Sequence, residues 1–167
     1  LIQQIDTMSS IASAFSNFAK MPSQQNETLN VVEVVNLALD SFTEDYLLFE
    51  CASQEIIAKL DRTQLIRIIT NLVKNAIQSI IHSQNPVIRI CLDDDEDNVI
   101  VTVSDNGHGI TEENKPKVFE PKFTTKTSGM GLGLPMIKNI IETYKGSIDF
   151  DSVEGSGTIF KVVLPKS

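Results

Sequence analysis

Asp105-Asn106-Gly107-His108-Gly109-Ile110 decides how this chain is read, because it follows directly on an alternating run, Val99 to Ser104, that reads as a β-strand. A carboxylate at a strand end can accept a hydrogen bond from an exocyclic amine such as that of adenine. The two glycines let the backbone turn sharply and approach a flat ring closely. The same six residues also suit a plain Asn-Gly turn, so they are read together with their neighbours.

Upstream, Asp61 caps a helix that runs to about Ile81. Its apolar stripe, Leu65, Ile69, Leu72, Val73, Ala76 and Ile80, is broad enough to pack on a sheet. Asn71 and Asn75 stand four residues apart and share one helical face, which Arg67 extends by a turn. A carboxamide oxygen is a hard ligand that suits magnesium, and its amide nitrogen can donate to phosphate. Solvated polar residues opposite the core would look the same.

Downstream, residues 106–130 carry Gly, Pro, Thr and Lys without periodicity, which predicts a long loop of the kind that often serves as a functional lid. Within it, Phe119-Glu-Pro-Lys122-Phe123-Thr-Thr-Lys126 offers two aromatic anchors and two cations. Gly129-Met-Gly131-Leu-Gly133-Leu134 then leads into a helix from about Leu132 to Tyr144, stopped by Gly146. Alternate glycines expose backbone N–H groups, and the helix N-terminus adds partial positive charge, so the place suits phosphates. No Lys-Ser or Lys-Thr follows, as a P-loop requires, and the spacing is not that of a dinucleotide fingerprint. Pro135 falls in the first helical turn, where its missing N–H costs little.

The rest of the chain frames these segments. Val31, Val34, Val35, Ala38, Leu39 and Phe42 predict an amphipathic helix over 31–44. Strands are expected near 46–52, 55–60, 87–92, 147–152 and 157–164. The acidic run Asp93–Asp97 reads as a solvated hairpin tip, and Cys51 and Cys91 as buried small residues. The expected fold class is α+β: a two-layer α/β sandwich with a mixed, mainly antiparallel sheet. The chain has 167 residues, enough for one domain and a short appendage. Its net charge of −8 argues against nucleic acid as a main partner, yet leaves room for a nucleotide, which needs only a few local cations. There is no apolar run of the roughly 18 residues that a membrane span needs. Leu1 in place of a start Met reads as the beginning of a fragment.

Leu1, Ile5, Met8, Ala12, Phe15 and Ala19 are spaced 4-3-4-3-4, the seam of a bundle or coiled-coil helix. Residues 1–22 therefore read as a self-associating helix ended by Pro22, 23–30 as a linker and 31–167 as the main domain.

The four motifs occur in a fixed order at junctions of helix, strand and loop. Asn71–Ala76, Asp105–Ile110, Phe119–Lys126 and Gly129–Leu134 resemble the N, G1, F and G2 boxes of sensor histidine kinases. Those belong to the wider Bergerat ATP-binding fold, shared with gyrase, Hsp90 and MutL. The resemblance runs from about residue 28 to the C-terminus and includes Gly157-Thr158-Ile159-Phe160, similar to the family's closing strand. The stretches Gln64–Asn71 and Phe119–Lys126 look most like nitrogen-regulation-type sensor kinases. Residues 16–22 resemble the end of the second dimerisation helix, so the seam implies a partial four-helix dimer stem.

The resemblance implies a role for each matching residue. Asn75 coordinates magnesium, and Asp105 reads the adenine of ATP. Gly107 and Gly109 shape the base pocket, with Ile110 beside them. Lys126, with Lys74 and Lys122, neutralises the triphosphate. Gly129, Gly131 and Gly133 let a lid close, with Leu132 and Leu134 in the same segment. Asn71, Gln78, Phe119, Phe123 and Thr158 complete the nucleotide set implied in this way, and Asn71, Asn75 and Lys126 are the expected catalytic residues. Lys122 departs from the family, which more often has an aromatic residue there.

The two histidines, His82 and His108, lie outside the family's phosphoacceptor motif. The accepting histidine is therefore expected on a stem helix that this chain lacks, and the fragment is not expected to phosphorylate itself. His82 is assigned to the surface, and His108 to a variable position of the G1 box. Implied partners are that histidine-bearing stem, a response regulator and, for the whole protein, a second copy of itself. Implied localisation is the cytoplasmic side of the bacterial inner membrane. The hydrolases of this fold place a glutamate where Asn71 stands, and an amide cannot act as general base near neutral pH. Kinase is therefore favoured over ATPase. Two further readings are an interaction module of a degenerate kinase and an anti-sigma-factor-type serine kinase.

Overall fold

In the structure, a computed structural model, residues 23–121 and 133–167 are described. The expected stem helix, residues 1–22, and six of the expected nucleotide residues, Lys122, Phe123, Lys126, Gly129, Gly131 and Leu132, lie outside the described residues.

The order along the chain is β1 (Glu27–Asn30), α1 (Val31–Leu39), β2 (Leu47–Cys51), β3 (Ile57–Leu60) and α2 (Arg62–Ser79). Then come β4 (Ile88–Asp94), β5 (Asn98–Asp105), a 3₁₀ turn (Lys115–Lys117), α3 (Gly133–Thr143), β6 (Ser147–Val153) and β7 (Gly157–Pro165). The main sheet runs β2-β4-β5-β7-β6, and only its β2–β4 pair is parallel. The fold is α+β, a two-layer sandwich with a mainly antiparallel sheet, as the alternation of motifs predicts.

One face of the sheet carries Ile88, Ile90 and Leu92 from β4, Val99, Val101 and Val103 from β5, and Phe160, Val162 and Leu164 from β7, all buried. The whole predicted stripe of α2, from Leu65 to Ile80, is buried with them in one core. Ile137, Ile140 and Ile141 of α3 join the same core. Burial of an aliphatic side chain contributes about 1.5–3 kcal/mol, so this shared layer fixes both helices against the strands.

Caps set where the helices begin. The Asp61 carboxylate accepts from the Gln64 N–H at 3.1 Å and opens α2 as expected. Asn30 does the same for α1, accepting from Val32 N–H at 3.2 Å, and its oxygen also takes the Ile56 N–H at 3.0 Å. Asn30 thereby ties the start of α1 to the approach of β3.

Five local readings change. Glu27–Asn30, within the segment read as a linker, is a strand paired antiparallel with β3. The first helix ends at Leu39 instead of 44, where the Ser41 hydroxyl donates to the Ala38 carbonyl at 2.9 Å. The α3 terminus is turned by Lys145, which has φ 61, while Gly146 N–H closes on the Ile141 carbonyl at 2.9 Å. This is a Schellman closure with lysine at the left-handed position. Gly146 serves close approach instead, since a Cβ there would overlap the Val163 carbonyl oxygen. The acidic tip is more than solvated charge, because Asp94 pairs with Lys166 at 2.7 Å and anchors the C-terminal tail. Cys51 and Cys91 are half-buried thiols, with Cys91 Sγ 3.6 Å from Glu50 Oε2 on the adjacent strand.

A polar cluster joins the chain's first described residues to both long helices. Tyr144, just past α3, accepts from the Asp61 N–H at 2.8 Å and donates to Asn26 Oδ1 at 2.9 Å. Asp61 also accepts from the Gln25 N–H at 2.8 Å. Tyr144→Phe leaves a part-buried amide without its acceptor and should lower unfolding free energy by about 1–3 kcal/mol. A urea melt checks this, and an unchanged midpoint would show that water replaces the hydroxyl.

Candidate functional site

The register of the sheet aligns three polar side chains across one end of its helix-covered face. Asp105 of β5 lies opposite Thr158 of β7, which lies opposite Ser152 of β6. Ser152 and Thr158 are buried, and their hydroxyl oxygens are 2.8 Å apart. Ser152 Oγ also accepts from Ile110 N–H at 2.8 Å and lies 3.0 Å from the Gly157 carbonyl oxygen. This row fixes the floor to which the Asp105–Ile110 turn is fastened.

Asp105 receives two hydrogen bonds on Oδ1, from Gly107 N–H at 2.8 Å and from the Ser79 hydroxyl at 3.2 Å. Ser79 also takes the His108 N–H on its carbonyl at 3.1 Å. The end of α2 thus grips the turn on both sides of Gly107. A Cβ on Gly107 would overlap the Ser79 hydroxyl and carbonyl oxygens, so glycine is required there by close approach. Gly109 has φ 72, and a Cβ on it would overlap the Val153 carbonyl. Asn106 does not face the site. Its amide braces the loop between α2 and β4, taking Val87 N–H at 2.9 Å and giving to the Asn85 carbonyl at 2.7 Å.

These elements enclose a cavity of about 320 Å³. Of the residues expected from sequence, Asn75, Gln78, Asp105, Gly109, Ile110, Leu134 and Thr158 line it. Gly107 stands just behind, holding Asp105. Lys74 is exposed and does not line the cavity. Phe119 is also not in its wall. Its ring packs edge-on against Phe150 and Phe160, with centroids 5.9 and 6.4 Å away, while neighbouring Val118 takes the wall position. Asn71 and Gly133 meet each other outside the lining, as the Asn71 Oδ1 faces the place a Gly133 Cβ would occupy.

Sequence reasoning missed Ser79, Thr111, Asn114 and Val118, which also line the cavity, as does His108, assigned to a variable position of the G1 box. Ser79 was findable: it lies four residues past Asn75 and continues the polar stripe Arg67–Asn71–Asn75. His82 is exposed, as assigned. The His108 Nδ1 is 2.6 Å from the Gly109 carbonyl. A carbonyl only accepts, so that nitrogen carries the proton.

Burial pushes the Asp105 carboxyl above the ordinary range. The Gly107 N–H, the Ser79 hydroxyl, the Thr158 N–H and the nearby His108 pull it partly back. A net rise means that the folded chain holds this proton more tightly than the unfolded chain. The corresponding stability is present below an unfolded carboxylate pKa of about 4, and is lost as pH climbs through the raised folded value.

The sequence and the fold are similar to those of known proteins. Residues 60–167 match the family model described as histidine kinase-, DNA gyrase B-, and HSP90-like ATPase. The sensor histidine kinase ZraS of Salmonella typhimurium is 29% identical over 171 residues, covering 99% of this chain and 37% of ZraS. The nucleotide-free catalytic domain of histidine kinase ThkA is 34% identical, with a TM-score of 0.74, covering 85% of this chain and 96% of that one. ThkA in complex with the response regulator protein TrrA is 27% identical, with a TM-score of 0.78, covering 99% of this chain and 49% of that one. The chain belongs to the histidine kinase-, DNA gyrase B- and HSP90-like ATPase family, as the ATP-binding catalytic domain of a sensor histidine kinase. It spans little more than a third of the length of ZraS.

Without nucleotide, Asp105→Asn removes the cost of a buried charge. At neutral pH this variant should melt at a higher temperature than the parent chain, with the gap closing as pH falls through the raised Asp105 value. Calorimetry across that range checks the sign, and a gap that widens in acid would contradict the raised pKa.

Proposed function

We propose that the cavity between α2, β5 and β7 takes Mg-ATP and that its γ-phosphoryl group passes to a histidine on a stem helix of the same kinase. The observation that carries this reading is Asp105 itself. A half-buried carboxylate stands at the end of a strand in the wall of a mixed polar and apolar cavity, with one oxygen already held by Gly107 and Ser79. Its remaining acceptor capacity suits the exocyclic amine of adenine. Ile110, Val118 and Leu134 supply apolar wall for the flat face of the base.

Asn75 lines the same cavity and would hold magnesium. Among the described residues, no group of three or more His, Cys, Asp or Glu side chains could hold a metal ion. Magnesium held at Asn75 would offset the charge of the phosphate oxygens. Lys74, Lys122 and Lys126 are assigned to the triphosphate, and Gly129, Gly131, Leu132 and Phe123 to closure over it. These roles rest on the box resemblance. Phosphoryl transfer needs chiefly positioning and charge stabilisation, which leaves the stem to bring the nucleophile. Asn71 in place of a carboxylate removes the general base that hydrolysis would use.

The expected partners are the histidine-bearing stem, a second copy of the whole protein and a response regulator of the kind that ThkA binds. Among the described residues, no helix is long and apolar enough to cross a membrane. The domain is assigned to the cytoplasmic side, where ATP is available.

Loss of one charge-assisted contact costs about 1.5–3 kcal/mol, so Asp105→Asn and Asn75→Ala should each weaken ATP binding at least about tenfold. Titration calorimetry with ATP and magnesium measures this. Near-parent affinity in both variants would falsify the site assignment. Mixed with a separately made stem carrying the histidine, the chain should give an acid-labile phosphorylated histidine.

A further inference from the structure

Asn71 is the first asparagine of its box, yet its side chain turns away from the cavity. Its Nδ2 donates to the Arg67 carbonyl, one helical turn back, at 2.8 Å. That bond fixes which end of the amide points where, because an oxygen in the same place would face a carbonyl oxygen. The Oδ1 is thereby aimed at α3. A Cβ built on Gly133, the first residue of α3, would lie 2.8 Å from Asn71 Oδ1 and 3.7 Å from its Cγ. Real Cβ atoms do not come that close to an oxygen.

Gly133 is helical, and a helical backbone does not call for glycine. Its need is space, and the space is taken by Asn71. Its neighbour Leu134 gives the cavity its wall on the α3 side, as Asn75 does on the α2 side. The distance at which α3 starts from α2 therefore decides where that wall stands.

We propose that Asn71 is a positioning residue. Its amide, braced on Arg67, acts as a stop against which Gly133 seats the first turn of α3, and so it sets the width of the cavity at Leu134. Asn75 alone of the two asparagines touches the bound nucleotide or its cation. The cavity's use for nucleotide rests on the reading given above; the contact itself does not.

The test is a double-mutant cycle with Asn71→Ala and Gly133→Ala, read by melting temperature and by ATP affinity. Gly133→Ala forces either the Asn71 amide off its bond to the Arg67 carbonyl or α3 outward, and should lower both, the affinity up to about tenfold. In the double variant the shortened side chain at position 71 leaves room for the new methyl group. Melting temperature and affinity should return to within about threefold, in equilibrium terms, of Asn71→Ala alone. Asn71→Ala itself removes the stop and should lower ATP affinity about threefold, short of the tenfold loss from Asn75→Ala. Additive losses in melting temperature overturn the contact. A loss from Asn71→Ala as large as that from Asn75→Ala overturns the positioning role and makes Asn71 a ligand contact. If the parent chain binds no ATP, the nucleotide reading fails, and the melting cycle alone decides whether Asn71 seats α3.

Discussion

The Asp105 carboxylate is the constraint on which the rest of the site depends. It sits on the helix-covered face of the sheet, half sheltered from water, where a charge is costly. It is tolerated because three elements converge on it. Gly107 brings a backbone N–H, Ser79 brings a hydroxyl from the end of α2, and Thr158 lies opposite on β7. Each of those partners is fixed in turn by something else. Ser79 is placed by the buried stripe of α2, Thr158 by sheet register and the Ser152 hydroxyl, and Gly107 by having no side chain. The carboxylate remains the least comfortable group in the site. A ligand that donates a hydrogen bond to it relieves part of that cost, which turns a local defect of stability into affinity.

Helix α2 has two jobs that its periodicity keeps apart. Leu65, Ile69, Leu72, Val73, Ala76 and Ile80 press on the sheet. Arg67, Asn71, Asn75 and Ser79 recur every four residues along another line of the same cylinder. Successive members of that line do different things. Asn71 meets α3, Asn75 lines the cavity and Ser79 holds Asp105. The apolar stripe therefore sets the accuracy of the polar one: a shift of α2 in its groove would move every polar contact at once.

Much of this was legible in the sequence because it is written locally. The Asp61 cap, the α2 stripe and the alternation in β5 and β7 each depend on residues within a turn or two of one another. Asp105, Gly109 and Asn75 could be picked out since their chemistry is unusual for the elements they end or occupy. What escaped depends on partners distant in the chain. Glu27-Thr28-Leu29-Asn30 is too short and polar to announce a strand, and it becomes one only by pairing with Ile57–Leu60. Phe119 belongs to a motif that points toward the nucleotide, yet its ring finds Phe150 and Phe160, which no local pattern could indicate. Asn71 belongs to the right motif and the right helix face, but its amide is turned by the Arg67 carbonyl into the space that Gly133 leaves across the helix interface.

The cluster at Tyr144 bears on how such a domain is connected. One hydroxyl joins the Asp61 N–H at the cap of α2 to Asn26 in the segment that enters the domain. Tyr144 follows α3 directly, and its N–H closes on the carbonyls of Ile140 and Ile141. The two helices that border the cavity thus share one polar fastening at the end away from it, beside the chain's entry. α2 carries Asn75 in its second half, and α3 carries Leu134 in its first turn. Rigid helices transmit displacement along their length. A pull on the entering segment would therefore be felt by both walls of the cavity together rather than by either alone.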